Sequence, residues 1–405
     1  MNIIKAKDIK RLISFFIDLC YNSFGLKEDF FMIEKILNNY NINGELISVS
    51  ENHAGNINKT MVATFDVNGT QKKYLIQRIN TSVFTEPFKL MKNMGNVTSF
   101  LKKQFEKIGD NEHKTLDIVK TKDNNVLCEI NNKEYYRIYE FIENAISYDC
   151  STDLDIVFNT GEAFGNFQRL LQNYPMEHLE ETIKDFHNTP KRLRKLLNDI
   201  KIDPKKRVLE VSREIVFIMQ RENICSLIMN KLMTGDIPYR VTHNDTKVNN
   251  VLMNKETGKF LAVIDLDTVM PGSMLFDYGD GIRSTASNSK EDEKDLSKVY
   301  INLDLFKAYT DGYMSQMANN LTETEVSLMG ESIRIIALEL AIRFLNDYIN
   351  GDTYFKIDYP THNLDRARNQ LKLVVDIEEK LDLINNYIYE SYNKYKKSSG
   401  KILRK

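Results

Sequence analysis

Cysteine is scarce. The 405 residues hold only four, Cys20, Cys128, Cys150 and Cys225, and no two form a CxxC pair. That spacing argues against a zinc site and against a disulfide framework; reduced thiols in a cytoplasm fit it best. An excess of one charge is missing too. With 55 basic and 57 acidic residues the net charge is −2, so the basic footprint of a nucleic-acid binder is absent and no nucleic-acid partner is expected. Two local basic runs, Lys191, Arg192, Arg194 and Lys195, then Lys201, Lys205, Lys206 and Arg207, read as solvated helix faces. No stretch of about 18 apolar residues occurs, so no membrane-spanning helix is expected. Near the start, Leu12–Ile17 follows four basic residues, but Asp18 interrupts the run and no small-x-small cleavage site follows. It reads as an amphipathic helix rather than a signal peptide. Internal repeats and low-complexity segments are absent. What remains, 42% apolar and 28% charged residues, is the composition of a folded, soluble protein, and the cysteine usage makes a cytoplasmic one the expectation.

The length allows two or three domains, or two lobes, at about 150 residues each. The first forty residues read as helical, with a break near Gly25. From Leu46 the period becomes that of strands: Leu46–Ser50, Met61–Val67 and Lys72–Ile79, with the hairpin dipeptide Asn68-Gly69 between the last two. A helix from Pro87 to Lys103 follows, proline suiting its first turn. Strands are expected over Thr115–Thr121, Val126–Ile130 and Glu134–Ile142. Beyond them the chain is helical, over Leu154–Tyr174, Val208–Met233, Ser297–Met317, Glu323–Asn350 and Asn363–Lys396, with one strand-like island at Asn250–Val269. The reading is an N-terminal helical extension (1–44), a β-rich nucleotide-binding lobe (45–143), a helical catalytic and substrate lobe (144–396) and a basic tail (397–405).

The chemistry concentrates in one segment, His243-Asn244-Asp245-Thr246-Lys247-Val248-Asn249-Asn250, followed by Asp265 in Val263-Ile264-Asp265-Leu266-Asp267. Phosphoryl transfer needs a carboxylate to accept the proton of the attacking hydroxyl, oxygen ligands for Mg²⁺, and a cation to meet the transferred group. Asp245 follows His243 by two residues and precedes Asn250 by five, the spacing of a kinase catalytic loop. Asp245 is the candidate base, Lys247 the cation, and Asn250 and Asp265 the metal ligands; Asp267 is either a further ligand or a support for one. His243 reads as a structural loop residue. An all-oxygen donor set favours Mg²⁺ over zinc. A polar loop closing a hairpin is the plainer alternative.

These motifs resemble the aminoglycoside phosphotransferase and choline kinase superfamily, and within it the N-acetylhexosamine 1-kinases. Three strings carry the likeness: His243 to Leu252, Val263 to Gly272, and Asp277-Tyr278-Gly279-Asp280-Gly281-Ile282-Arg283. Shorter ones agree, including Phe186-His187-Asn188-Thr189-Pro190, Arg343-Phe344-Leu345-Asn346-Asp347-Tyr348 and Tyr354-Phe355-Lys356. The resemblance runs from about residue 45 to 380. It implies an α+β, protein-kinase-like bilobal fold, a β-rich N-terminal lobe before a mainly helical C-terminal one. It implies ATP and Mg²⁺ as cofactors, a small-molecule sugar as partner with no membrane involved, and transfer to the anomeric hydroxyl of an N-acetylhexosamine. Arg343, Tyr354 and His53 would bind the sugar. Asn58 and Thr60 would contact the nucleotide, Glu140, Phe141 and Ile142 would pair with adenine, and Arg78 would stand where protein kinases carry a lysine. Gln77 competes with Arg78 by strand alternation, and Phe88–Lys103 offers no partner glutamate; Glu86 lies just before it. Two other readings stay open: a kinase of a choline- or aminoglycoside-like alcohol, and a nucleotide-binding module without catalysis.

Overall fold

The computed structural model describes residues 26–52, 57–131 and 133–402. It divides into two compact units. The first comprises its described residues up to Met91 together with Asp117–Phe141; the second comprises Lys92–Leu116 and the residues from Ile142 onward. The helix α2 (Pro87–Ile108) contributes to both.

The first unit is built on an antiparallel sheet in the order β1-β2-β3-β6-β4, with β5 also paired to β6. The strands are β1 (Glu45–Asn52), β2 (Lys59–Val67), β3 (Thr70–Arg78), β4 (Ile118–Val119), β5 (Cys128–Ile130) and β6 (Glu134–Glu140). Asn68 and Gly69 take φ of +55° and +83° and pair Val67 with Thr70, the two-residue turn that their types favour because both centres need positive φ. Helix α1 (Leu26–Leu37) packs on one sheet face: Ile33, Ile36 and Leu37 join Tyr74, Ile76, Tyr136 and Ile138 in a single core. The Tyr40 hydroxyl donates to the carbonyl of Tyr136. The expected strand Thr115–Thr121 shrinks to Ile118–Val119, because only those two residues ladder with β6.

The second unit is mainly helical. Its long elements are α3 (Leu154–Leu170), α4 (Thr189–Ile202), α7 (Met274–Thr285), α8 (Leu303–Met317), α9 (Glu323–Asn350) and α10 (His362–Ile402). The stretch Val208–Met233, periodic enough to suggest one helix, is broken into α5 (Ser212–Met219) and α6 (Leu227–Thr234) with 3₁₀ turns before each. Tertiary contacts win there: Arg221, between the two helices, forks onto Glu378 of α10 at 2.8 and 2.7 Å.

Helices α3 and α8 meet at backbone distance. A Cβ on Gly161 would collide with the carbonyl of Tyr309, and one on Gly312 with that of Phe158. Helix α9 starts with a capping box, Thr322 and Glu325 exchanging side-chain and backbone hydrogen bonds. Buried Glu325 also binds Arg240 of β8 (Arg240–Thr242) at 2.7 Å. Two small sheets complete the unit: β8 pairs with β11 (Met270–Gly272), and β9 (Val251–Asn254) lies between β10 (Phe260–Val263) and β7 (Ala145–Ile146). Among the described residues, no helix is long and apolar enough to cross a membrane.

Candidate active site

The chain leaves β8 at Thr242 and enters β9 at Val251, so the segment from His243 to Asn250 is the loop joining two small sheets. One buried carboxylate sets its path. Asp277, in the first turn of α7, accepts the backbone N–H of His243 at 2.8 Å and of Asn244 at 2.7 Å, and Gln168 of α3 donates to it at 2.7 Å. Burial pushes the Asp277 carboxyl above its usual range, against the opposing pull of His243 and these donors. One turn on, Asp280 accepts the Thr246 N–H at 3.2 Å and pairs with Arg283 at 2.8 Å. Asn244 itself sits at φ +64°, a conformation Asn tolerates better than most residues. Its amide donates to the Thr268 carbonyl at 2.7 Å, and the Thr268 hydroxyl returns a bond to the His243 carbonyl at 2.6 Å.

His243 spends both ring nitrogens on the main chain. Nε2 lies 2.9 Å from the Ile264 carbonyl, and Nδ1 accepts the Asp245 N–H at 3.3 Å. The ring therefore braces the loop against the end of β10.

Asp245 is held by its neighbours in sequence. The Lys247 ammonium stands 2.7 Å from Oδ1, and the Asn250 amide donates to Oδ2 at 3.1 Å and to the Asp245 carbonyl at 2.8 Å. Burial acts to raise the Asp245 carboxyl, but the charge and hydrogen bond of Lys247, with His243 and Asn250, hold it below the usual carboxylate range. Burial acts to lower Lys247, and the charges of Asp245 and Asp280 outweigh it, so the ammonium is stabilised.

Asp265 follows β10 at φ +57°. The β9–β10 register opposes Val251 to Val263, and the Ile264 N–H donates to the Asn250 carbonyl at 2.9 Å. Asn250 and Asp265 therefore belong to the same end of one hairpin. Asp265 is exposed there, while Asp267 is buried in the 3₁₀ turn that follows. Among the described residues no three His, Cys, Asp or Glu side chains gather as a metal cage. Two carboxylates and an amide suit Mg²⁺ instead, a hard ion that is held by one or two carboxylates and takes its remaining ligands from phosphates and water.

Beside this loop lies a second cluster. His187 places Nε2 3.4 Å from the Asn244 carbonyl and Nδ1 2.8 Å from buried Glu339 of α9; the Thr189 hydroxyl donates to the other Glu339 oxygen at 2.5 Å. One turn along α9, the Arg343 guanidinium stands 5.4 Å from the Phe186 ring and 5.6 Å from the Phe355 ring, within the reach of cation–π attraction. Tyr354 is 60% exposed and meets Phe355 edge-on at 4.8 Å. Its segment is fixed by Asp347, which accepts the backbone N–H groups of Thr353, Tyr354 and Phe355, each at 2.9 Å. His53 lies outside the described residues.

On the first unit, alternation separates Arg78 from Gln77. Arg78 shares the face of Tyr74 and Ile76, where α1 packs; it is half-exposed and pairs with Glu134 at 2.7 Å. Gln77 points to the other face, accepting from Arg137 at 3.0 and 2.8 Å and donating to the Thr60 hydroxyl at 3.1 Å. Arg137, wholly buried, was not singled out from the sequence; a charged residue amid the aromatic alternation of β6 was the available signal. The Asn58 side chain accepts the Asn80 N–H at 3.0 Å. The Phe141 N–H is taken by the Lys73 carbonyl at 3.0 Å, next to Glu140, which ends β6, and Ile142, which opens the second unit. Glu86 pairs with Lys89 at 3.5 Å.

Known structures share this architecture. Spectinomycin phosphotransferase in complex with ADP and spectinomycin superposes with a TM-score of 0.53 at 13% identity, over 87% of this chain and 97% of the other. An aminoglycoside phosphotransferase from Alicyclobacillus acidocaldarius gives 0.56 at 14% identity, covering 88% and 95%. Choline kinase from Cryptosporidium parvum gives 0.51 at 14%, covering 88% and 99%. At such identities the likeness establishes the fold, an α+β arrangement with a β-sheet N-terminal region and a helical C-terminal region. Residues 63–302, which include the whole loop from His243 to Asn250 and both Asp265 and Asp277, match the profile of the phosphotransferase enzyme family APH, and the chain belongs to that family.

Proposed function

We propose that this member of the phosphotransferase family moves the γ-phosphate of ATP to the anomeric hydroxyl of an N-acetylhexosamine, giving a sugar 1-phosphate and ADP. The observation that carries the transfer step is the Asp245 carboxylate, ionised by Lys247 and Asn250 and set beside the hairpin end that bears Asp265. Asp245 orients the acceptor hydroxyl and takes its proton as the new O–P bond forms and the bond from phosphorus to the ADP oxygen breaks. The anomeric hydroxyl is more acidic than an ordinary alcohol, so that proton need move only late in the transfer. Lys247, 2.7 Å from Asp245, would supply the cation that meets the transferred group. Asn250 and Asp265, with Asp267 beside them, would hold Mg²⁺, which when bound offsets the charge of the β- and γ-phosphates. The solved relative that holds ADP supports nucleotide use. Residues 45–143 are assigned to nucleotide binding, with Thr60, Asn58 and the stretch Glu140–Ile142 as contacts.

The sugar rests on the second cluster. Arg343 offers a rigid fork of donors between two aromatic rings, and Tyr354 presents a ring with a polar tip. Together they suit hydroxyls and an acetamide carbonyl, and a guanidinium in that place disfavours the cationic acceptors of choline and aminoglycoside kinases. A panel of sugars, choline and aminoglycosides, followed by ADP release and by ³¹P detection of phosphate on C1, tests this. Sugar 1-phosphate from N-acetylglucosamine or N-acetylgalactosamine is expected. Turnover of choline with none on any sugar would reject the proposal.

A further inference from the structure

The first basic run in the sequence does not lie wholly on a solvated face. Lys191, Arg194 and Lys195 of α4 are exposed, whereas Arg192 turns inward. Its Nη2 donates to the Phe186 carbonyl at 3.0 Å, so Arg192 and Arg343 grip the same residue, one by its backbone and the other across its ring. Burial, and then the neighbouring charge of Arg343, lower the Arg192 guanidinium below its usual value. The nearby carboxylates are engaged elsewhere: Glu339 by His187 and Thr189, and Asp185 by Lys191 at 2.7 Å and Asn188 at 3.0 Å. Neither guanidinium closes an ion pair among the described residues, and the Arg192 Nε is buried without a hydrogen-bond partner there. Glu339 and Asp185 offset the two charges only through space, and two partly buried guanidinium groups held close with no direct carboxylate contact are costly for folding. A solvated Arg192, like its neighbours, would avoid that cost.

Resting on the sugar-kinase reading above, we propose that Arg192 and Arg343 form a charge filter on the acceptor subsite. It admits neutral sugars, N-acylated amino sugars among them, and turns away those carrying a free ammonium group. Both arginines lie next to the loop that carries Asp245, through Phe186 and then His187, whose ring reaches the Asn244 carbonyl at 3.4 Å. A like charge brought into such a partly dehydrated site is strongly disfavoured.

Glucose and glucosamine separate the charge from the acetyl group, since they differ at C2 by a hydroxyl against an ammonium. Each is measured as a competitor of N-acetylglucosamine phosphorylation at pH 6.5, below the range of about 8 where such amines titrate. Glucosamine is expected to inhibit at least about tenfold more weakly than glucose. At pH 9, where the amine is neutral, the gap narrows. Arg192→Gln narrows the gap at pH 6.5 several-fold, Arg192→Lys retains it, and Arg194→Gln, on the exposed side of the same helix, leaves it as it was. A glucose-to-glucosamine ratio that neither pH nor Arg192→Gln moves overturns the filter while leaving the sugar-kinase reading intact. Failure to phosphorylate any N-acetylhexosamine overturns that reading, and the filter with it.

Discussion

The Asp277 carboxylate accepts the backbone N–H of Asn244 at 2.7 Å, one residue before Asp245. Together with its bond to the His243 N–H at 2.8 Å, this makes a side chain on α7 the anchor of the loop. Asp277→Asn removes the charge and turns one acceptor into a donor facing a backbone N–H. The expected result is a fall in kcat of about tenfold or more with the KM for ATP little changed, since the loop loses its geometry rather than its ligands. Steady-state kinetics in both substrates checks it; an unchanged kcat would show that the loop holds its own shape.

Asp245→Asn should lower kcat on the order of 100-fold, the usual worth of a positioned base, while nucleotide binding measured by calorimetry persists. Because Lys247 and Asn250 hold the carboxyl below its usual value of 3.8, Asp245 stays ionised throughout the neutral and mildly acidic range. Any loss of rate between pH 7 and pH 5 should therefore persist in its pH dependence when a poor substrate makes chemistry limiting, and should belong to other groups. A near-normal rate for the Asn variant would remove Asp245 from the mechanism.

Glu339 is buried, and although burial acts to raise its carboxyl, the charge and hydrogen bond of His187, with Arg343 and Thr189, hold it below its usual 4.5. A carboxyl depressed by folding contributes stability that is complete above its unfolded value and is lost as pH falls through the lower native one. Glu339→Gln should therefore cost about 3 kcal/mol at pH 7, as breaking a buried pair does, with the difference from wild type closing below pH 4.5. Urea unfolding at a series of pH values reads this out, and a pH-independent difference would count against it.

Gly312→Ala should destabilise the second unit by about 1–3 kcal/mol, the range for overpacking, because the added methyl meets the Phe158 carbonyl of α3. Gly235→Ala offers a control of another kind: that glycine has open space around it and φ +76°, so its cost comes from backbone strain alone.

The loop was legible because its chemistry is short-range. The His243, Asp245 and Asn250 spacing needs only local chain to bring the groups together, and Asn68-Gly69 announces its own turn. The helix expected over Val208–Met233 was not, because 3₁₀ and α turns carry apolar residues at similar spacing and only Arg221, reaching Glu378, distinguishes them. Arg192 was hidden for a related reason. In a run of four cations the sequence does not say which one the helix turns inward, and that is decided by where Phe186 lies. Alternation puts Arg78 and Gln77 on opposite faces of β3; α1, which covers the face of Arg78, lies outside the span of the family resemblance.

One carboxylate gathers the N–H groups of three consecutive residues, Thr353, Tyr354 and Phe355, onto Asp347. The ordering entropy of that segment is thus spent when the protein folds and not when a ligand arrives. In its proposed role at the acceptor, Tyr354 starts from a backbone already ordered, and its contribution to affinity should appear largely as enthalpy.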